Sequence, residues 1–137
     1  MCLLDCVLSW DNEKIRCSAS SHRAADNPLR AYERLGPACA IEYAAQAMAV
    51  HGALLAPTDS INPHMGYLVS VRGARLYVSR LDDIAADLTV EASCITRDEA
   101  NILYQFSVRV ADRLLADGRA TVIVNADARV LNSGELT

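Results

Sequence analysis

The sequence is poor in aromatic residues, with one Trp, one Phe and five Tyr in 137 positions, and it has no excess of positive charge. Thirteen Lys and Arg stand against 17 Asp and Glu, a balance of −4. A weakly acidic chain offers no general basic surface, so nucleic acid is not expected as a partner. The five cysteines (Cys2, Cys6, Cys17, Cys39 and Cys94) form no C-x-x-C pair. An odd, widely spaced set is neither a disulfide framework nor a clustered zinc site; it is the usage of a reducing compartment, where such residues serve as small buried hydrophobes. The N-terminus lacks the apolar region of a signal peptide, because Asp5, Asp11 and Glu13 interrupt it. A cytoplasmic protein is therefore expected. The chain also lacks a Ser or Cys elbow, a phosphate-cradling glycine loop, a metal-ligand cluster, internal repeats and domain linkers. No metal is expected.

What remains is one domain's worth of chain, residues 1–137, 52% hydrophobic and 22% charged, which is globular composition. Cys2 to Leu8 reads as a strand, Trp10 to Glu13 as a turn, and Lys14 to Ser20 alternates with the period of a half-buried strand. The chain opens inside that first strand, so an upstream segment is expected. Ser21 to Gly36 reads as a loop of about sixteen residues, long enough to suggest function.

Leu35 to Thr58 holds a single charged residue, Glu42, and eight alanines lie between Pro37 and Pro57. Pro37 suits the first turn of a helix and Pro57 ends it. Glu42, Gln46 and His51 argue against a membrane span. A soluble helix that is apolar on almost every side must be surrounded by protein, so the remaining strands are expected to wrap around it. Those strands are Tyr67–Arg80 with Gly73 as a bulge, Leu88–Cys94, Ile102–Val110, and Ala120–Val124 after an Asp117-Gly118 hairpin turn.

Glu42 is the principal chemical clue. A carboxyl inside an Ala-rich helix is costly unless paired or protonated, and burial favours the proton-bearing form that a general acid needs. Gln46, four residues on, shares its face and is placed to orient it. The other reading, that Glu42 complements the dipole at the helix N-terminus, stays open. His22 lies in the long loop and can fold back onto the helix. His51 falls on nearly the opposite face from Glu42 and reads as a packed or interface residue, and His64 as an exposed turn residue. Arg72, Arg75 and Arg80, with Arg97, form either a solvated strand edge or a docking face for an acidic partner.

The run Ile41-Glu42-Tyr43-Ala44-Ala45-Gln46-Ala47-Met48-Ala49 resembles the helix start of the 3-hydroxyacyl-acyl-carrier-protein dehydratases, where a Glu followed four residues later by Gln opens the central helix. Leu3-Leu4-Asp5-Cys6-Val7 is similar to that family's first strand. Asp26-Asn27-Pro28-Leu29 and Ile41 to Gln46 resemble the short dehydratase-like proteins of aryl polyene clusters. The resemblance implies an α+β hotdog fold, an antiparallel β-sheet wrapped around one long central α-helix. It also implies loss of water from a carrier-bound 3-hydroxyacyl thioester to give the trans-2-enoyl thioester, with Glu42 as acid and Gln46 supporting it.

The family's His-Phe-Pro-Gly motif stands fourteen residues before its Glu; Pro28 occupies that position here, and His22 is the only histidine in the preceding loop. The expected site is thus Glu42 and His22 with Gln46, and the expected carrier-docking face is Arg72, Arg75 and Arg80. By the same resemblance the substrate rides on a phosphopantetheine thioester with no other cofactor. The partners implied are an acyl-carrier protein and a second hotdog subunit, in a homodimer or a heterodimer. Thioester hydrolysis and a non-catalytic partner subunit are the competing functions.

Overall fold

The computed structural model describes residues 3–32, 34–55, 66–98 and 101–125. Six strands and one long helix follow in the order β1 (Cys6–Trp10), β2 (Lys14–Ala19), α1 (Cys39–Leu55), β3 (Gly66–Leu76), β4 (Leu88–Arg97), β5 (Asn101–Val110) and β6 (Arg113–Asn125). A single turn of 3-10 helix, Ser21–Arg23, begins the loop between β2 and α1. The strands form one antiparallel sheet in the order β1-β2-β4-β5-β6-β3, and α1 packs against β2, β4, β5 and β6. This is the α+β hotdog arrangement expected from the sequence.

The alternation seen in the sequence sorts the faces. Ile15, Cys17 and Ala19 of β2, Leu88, Val90 and Ala92 of β4, and Tyr104, Phe106 and Val108 of β5 are buried towards the helix. Their neighbours along each strand face outwards, as the two-residue period requires. On α1 the buried residues are Ala40, Tyr43, Ala44, Ala47, Met48 and His51, a single stripe at helical spacing. Three of these six are alanines, which let the sheet come close to the helix. The sheet therefore covers one stripe of α1, not its whole circumference: Glu42, Ala49, Ala53 and Leu54 are exposed in the single chain. Enclosure on every side, expected from composition, is not what one chain provides.

Three local expectations change. Trp10 ends β1 instead of opening a turn, and it pairs with Ile15; the paired strand starts at Cys6. Asp117-Gly118 is not a hairpin turn but lies inside β6, opposite Ser107 and Phe106. The β5–β6 connection is Ala111-Asp112, with Ala111 in the left-handed region (φ +50°). Gly118 is needed for close approach: a Cβ there would meet Phe106 Cζ at 2.9 Å and the Ala74 Cα at 3.0 Å. Gly73, by contrast, is the bulge expected, with φ +62° and a register shift between Arg72 and Arg75. Among the described cysteines all are free, and Cys17 is buried whereas Cys6 is exposed. Cys2, His64 and the residues after Asn125 lie outside the described residues.

Gly118→Ala is expected to destabilise the protein by about 1–3 kcal/mol, because a strand backbone and an aromatic ring must both give way. Gly36→Ala, where nothing lies within 4 Å of the added carbon, is expected to be neutral or slightly stabilising. Urea unfolding of the two variants checks the contrast.

Candidate active site

The first half of α1 is set by how the chain enters it. The carbonyls of Gly36, Pro37 and Ala38 accept from the N–H groups of Cys39, Ala40 and Ile41, each at 3.1 Å, so the helix opens through tight turns three residues wide. Pro37 has a φ already suited to this entry and no N–H to lose. Glu42 consequently falls in the first turn of α1, where the helix dipole favours a negative charge, and it is exposed. The burial expected for this carboxyl is not met within one chain. Its charge is felt by Cys39, three residues earlier, whose thiol is pushed up by burial and then by Glu42.

Tyr43, next along the helix, is buried and ties the preceding loop to α1. Ser21 Oγ donates to the Leu3 carbonyl (2.7 Å), so its oxygen accepts from the Tyr43 hydroxyl (2.7 Å). Asn27 Nδ2 donates to the Tyr43 hydroxyl (3.3 Å) and to the Ser21 carbonyl (2.8 Å), and Asn27 Oδ1 accepts from the Leu29 N–H (2.8 Å). The result is a continuous relay of donors into acceptors, with the buried phenol satisfied at both ends. Burial of the phenol pushes its pKa up, only partly offset by Ser21 and Asn27. Gln46 Oε1 accepts from the Leu3 N–H (2.7 Å), fixing the segment that leads into β1.

His22 is placed differently from the expectation. It is fully buried, and its Nε2–H donates to the Ile84 carbonyl (3.0 Å). Its neighbour Arg23 bonds the Ala85 carbonyl and pairs with Asp87 (2.6 Å). Further along, the Leu35 N–H donates to Asp82 Oδ1 (2.9 Å) and the Leu35 carbonyl accepts from the Leu81 N–H (2.8 Å). The loop before α1 and the loop before β4 thus clasp one another, and His22 is part of the clasp. Desolvation lowers its pKa from the ordinary 6.5, against the pull of the Ile84 carbonyl; the charged groups acting on it are Arg23 and Asp87. Among the described residues no hydrogen bond joins His22 to Glu42. Nδ1 of His22 is buried and has no hydrogen-bond partner.

His51 is the packed residue expected. Its Nε2–H donates to the Asp11 carbonyl and its Nδ1 meets the Tyr104 hydroxyl, both at 2.7 Å. The arginines divide. Arg72 and Arg75 stand exposed beside a groove on the outer face of the sheet. Arg80 is chelated by Asp82, whose carboxyl is held well below the usual range chiefly by Arg80 and then by the Leu35 N–H. Tyr43, Ser21 and Asn27 were not singled out from the sequence. The available signal was a Tyr in an Ala-rich buried helix, whose hydroxyl must find a partner.

A sheet laid over one long helix, with a Glu in that helix's first turn and a Gln one turn on, is the hotdog arrangement. A protein-family model described as ApeP-like, the ApeP dehydratases, matches residues 1–132, and the chain belongs to this family. It is a dehydratase-family protein.

Among solved structures it is similar to the dehydratase heterocomplex ApeI:P from Xenorhabdus doucetiae. The two share 18% identity over 95% of this chain and 87% of that one, with a TM-score of 0.78. The thioesterase HI1161 from Haemophilus influenzae is similar at 13% identity over 89% of this chain and 78% of that one, TM-score 0.62. The fluoroacetyl-CoA thioesterase FlK matches at 12% identity over 88% and 90%, TM-score 0.66. At such identities these structures carry the fold. No curated protein sequence matches the chain.

Removing the Tyr43 hydroxyl (Tyr43→Phe) leaves Asn27 and Ser21 short of a partner and is expected to cost about 1–3 kcal/mol of stability. His22 sets a pH dependence. Its folded pKa lies below its unfolded one, so below about pH 6.5 the unfolded chain binds the proton first and stability falls. His22→Gln is expected to flatten that part of the stability–pH curve, measured by thermal melts between pH 5 and 8.

Proposed function

We propose that the chain works as a dehydratase subunit acting on carrier-bound 3-hydroxyacyl thioesters in aryl polyene synthesis, inside a heteromeric assembly with a second hotdog subunit. The observation that carries this reading is the match to the dehydratase family over residues 1–132, joined to the exposed Glu42 at the start of α1. Past Glu42 that helix face continues with Ala45, Ala49, Gly52 and Ala53, small residues that leave room for an acyl chain or a neighbouring element. A face so apolar needs cover. The heterocomplex ApeI:P supports supplying it from a second hotdog chain.

In this proposal Glu42 protonates the departing hydroxyl while a base removes the α-proton; water leaves and the 2-enoyl thioester forms. Cover over Glu42 would take the carboxyl out of water. His22, enclosed and committed at Nε2, is read as a positioning residue for the loop that meets Tyr43, and the base role implied for it passes to the assembled site. The substrate arrives on the phosphopantetheine thioester of an acidic carrier protein, in the cytoplasm. Hydrolysis of the thioester is the less favoured reading.

Glu42→Gln, assayed with a 3-hydroxyacyl thioester in the presence of the co-expressed partner subunit, is expected to lower turnover by about 10²–10⁴-fold at unchanged stability. His22→Gln is expected to lose less than tenfold. Turnover surviving Glu42→Gln removes the acid assignment; a loss for His22→Gln as deep as that for Glu42→Gln, in a folded protein, returns the base role to His22. Release of free thiol without enoyl formation would make the protein a thioesterase.

A further inference from the structure

The face of the sheet turned away from α1 carries a groove of about 690 Å³ whose lining includes Ser70, Arg72, Arg75, Gln105, Arg119 and Thr121. Its construction is specific. Arg72 of β3 lies directly opposite Arg119 of β6, and Arg119 lies opposite Gln105 of β5. Like charges placed directly across a sheet repel, so this pair costs stability where it stands. The bulge at Gly73 adds to it. Between Arg72 and Arg75 the strand spends three steps where β6 spends two, from Arg119 to Asp117. Without the extra residue, alternation would send Arg75 to the helix side; with it, Arg75 joins Arg72 and Arg119 on the outer face.

These three guanidinium groups make no ion pair or hydrogen bond among the described residues. The contrast on the same molecule is plain: Lys14 and Arg16 pair with Glu91, Arg23 with Asp87 and Arg80 with Asp82. The carboxylate in the groove, Asp117, accepts from the Tyr77 hydroxyl (3.1 Å) and is not within ion-pair distance of Arg75. Three arginines without an ion pair among the described residues thus line one concave site on a chain of net charge −4. The hydroxyls of Ser70 and Thr121 and the Gln105 amide stand beside them as further donors.

We propose that this groove binds a phosphate group of an organic phosphate or pyrophosphate. Guanidinium forks match tetrahedral phosphate oxygens two at a time, and a dianion relieves the repulsion built into the Arg72–Arg119 pair. Concavity and converging donors suit a compact anion better than a flat acidic protein surface. The site lies across the sheet from Glu42, so it positions a ligand and takes no part in the chemistry. It rests on the dehydratase reading only for the source of the phosphate, and not for the binding itself.

The test is calorimetric titration of the full chain at low salt with inorganic pyrophosphate, coenzyme A and a poly-glutamate peptide. Pyrophosphate and coenzyme A are expected to bind, and to weaken at least tenfold in Arg119→Gln and Arg72→Gln but not in Arg34→Gln, which lies outside the groove. Binding by coenzyme A but not pyrophosphate, lost in the same variants, makes the nucleotide-borne phosphate the source. Arg119→Gln is also expected to raise the melting temperature by about 1–3 °C at low salt, the opposite of what a structural arginine would do. Absence of phosphate binding, binding indifferent to Arg72 and Arg119, or equal affinity for poly-glutamate overturns the proposal. Failure of dehydration with phosphate binding intact would count against the proposed function alone.

Discussion

Two polar side chains on an otherwise apolar stripe decide where the loops of this protein lie. Tyr43 and His51 are the large polar-tipped residues that α1 turns towards the sheet, and a buried hydroxyl or imidazole left without a partner costs about 1–3 kcal/mol. Each reaches out of the helix to be satisfied. Tyr43 gathers Ser21, Asn27 and through Ser21 the Leu3 carbonyl; His51 takes the Asp11 carbonyl at the β1–β2 turn and meets Tyr104 on β5. The two sit eight residues apart, about 12 Å along the helix. One end of α1 is thereby locked to the long loop and the other to the first hairpin. Alanine between them keeps the helix close to the sheet, so these few bonds have little freedom to drift.

The same economy governs the loop that precedes the helix. It is irregular, and irregular backbone must find partners outside itself. It finds them in the segment before β4, through Ile84, Ala85, Leu81, Asp82 and Asp87. Asp82 shows how tightly the parts are shared. One carboxylate caps the Leu35 N–H and binds Arg80, so its charge is held on the folded side by a backbone bond and an ion pair together. Glu91 on the outer face shows the opposing tendencies within one group: burial raises its pKa, and Lys14 and Arg16 more than reverse that. Charges that are anchored in this way contrast with the unanchored arginines of the β3–β6 groove.

Much of the architecture was legible because it rests on period. The alternation of Lys14–Ser20 and Ile102–Val110 and the nearly uncharged stretch from Leu35 to Thr58 read directly as β2, β5 and α1. What failed was where period gives no information. Asp117-Gly118 has the composition of a turn, but the glycine is there for Phe106 and Ala74 across the sheet, a contact between residues distant in the chain. The long strand β6 passes through it, and the connection falls to Ala111-Asp112, which no turn composition advertises. The placement of the candidate residues was only partly legible. Glu42 and Gln46 stood out by type and spacing, yet whether Glu42 is covered depends on which stripe of α1 the sheet takes, and an almost uniformly apolar helix does not announce that choice. His22 was singled out for its place in a long loop; its commitment to Ile84 depends on a loop sixty residues away. Arg119 was missed because only strand register brings it opposite Arg72.

On the reading proposed for this family member, the geometry of one chain carries its own argument for assembly. Glu42 stands exposed in the first turn of α1, on the small-residue face that continues with Ala45, Ala49 and Ala53, and an apolar surface laid on that face would close the carboxyl off from water. The helix is already too apolar on that side to be left bare. The same act of covering would then bury the exposed apolar face and ready the acid, so that a subunit without its neighbour would be both poorly covered and chemically idle. Activity and association are, on these terms, one event at one face of α1.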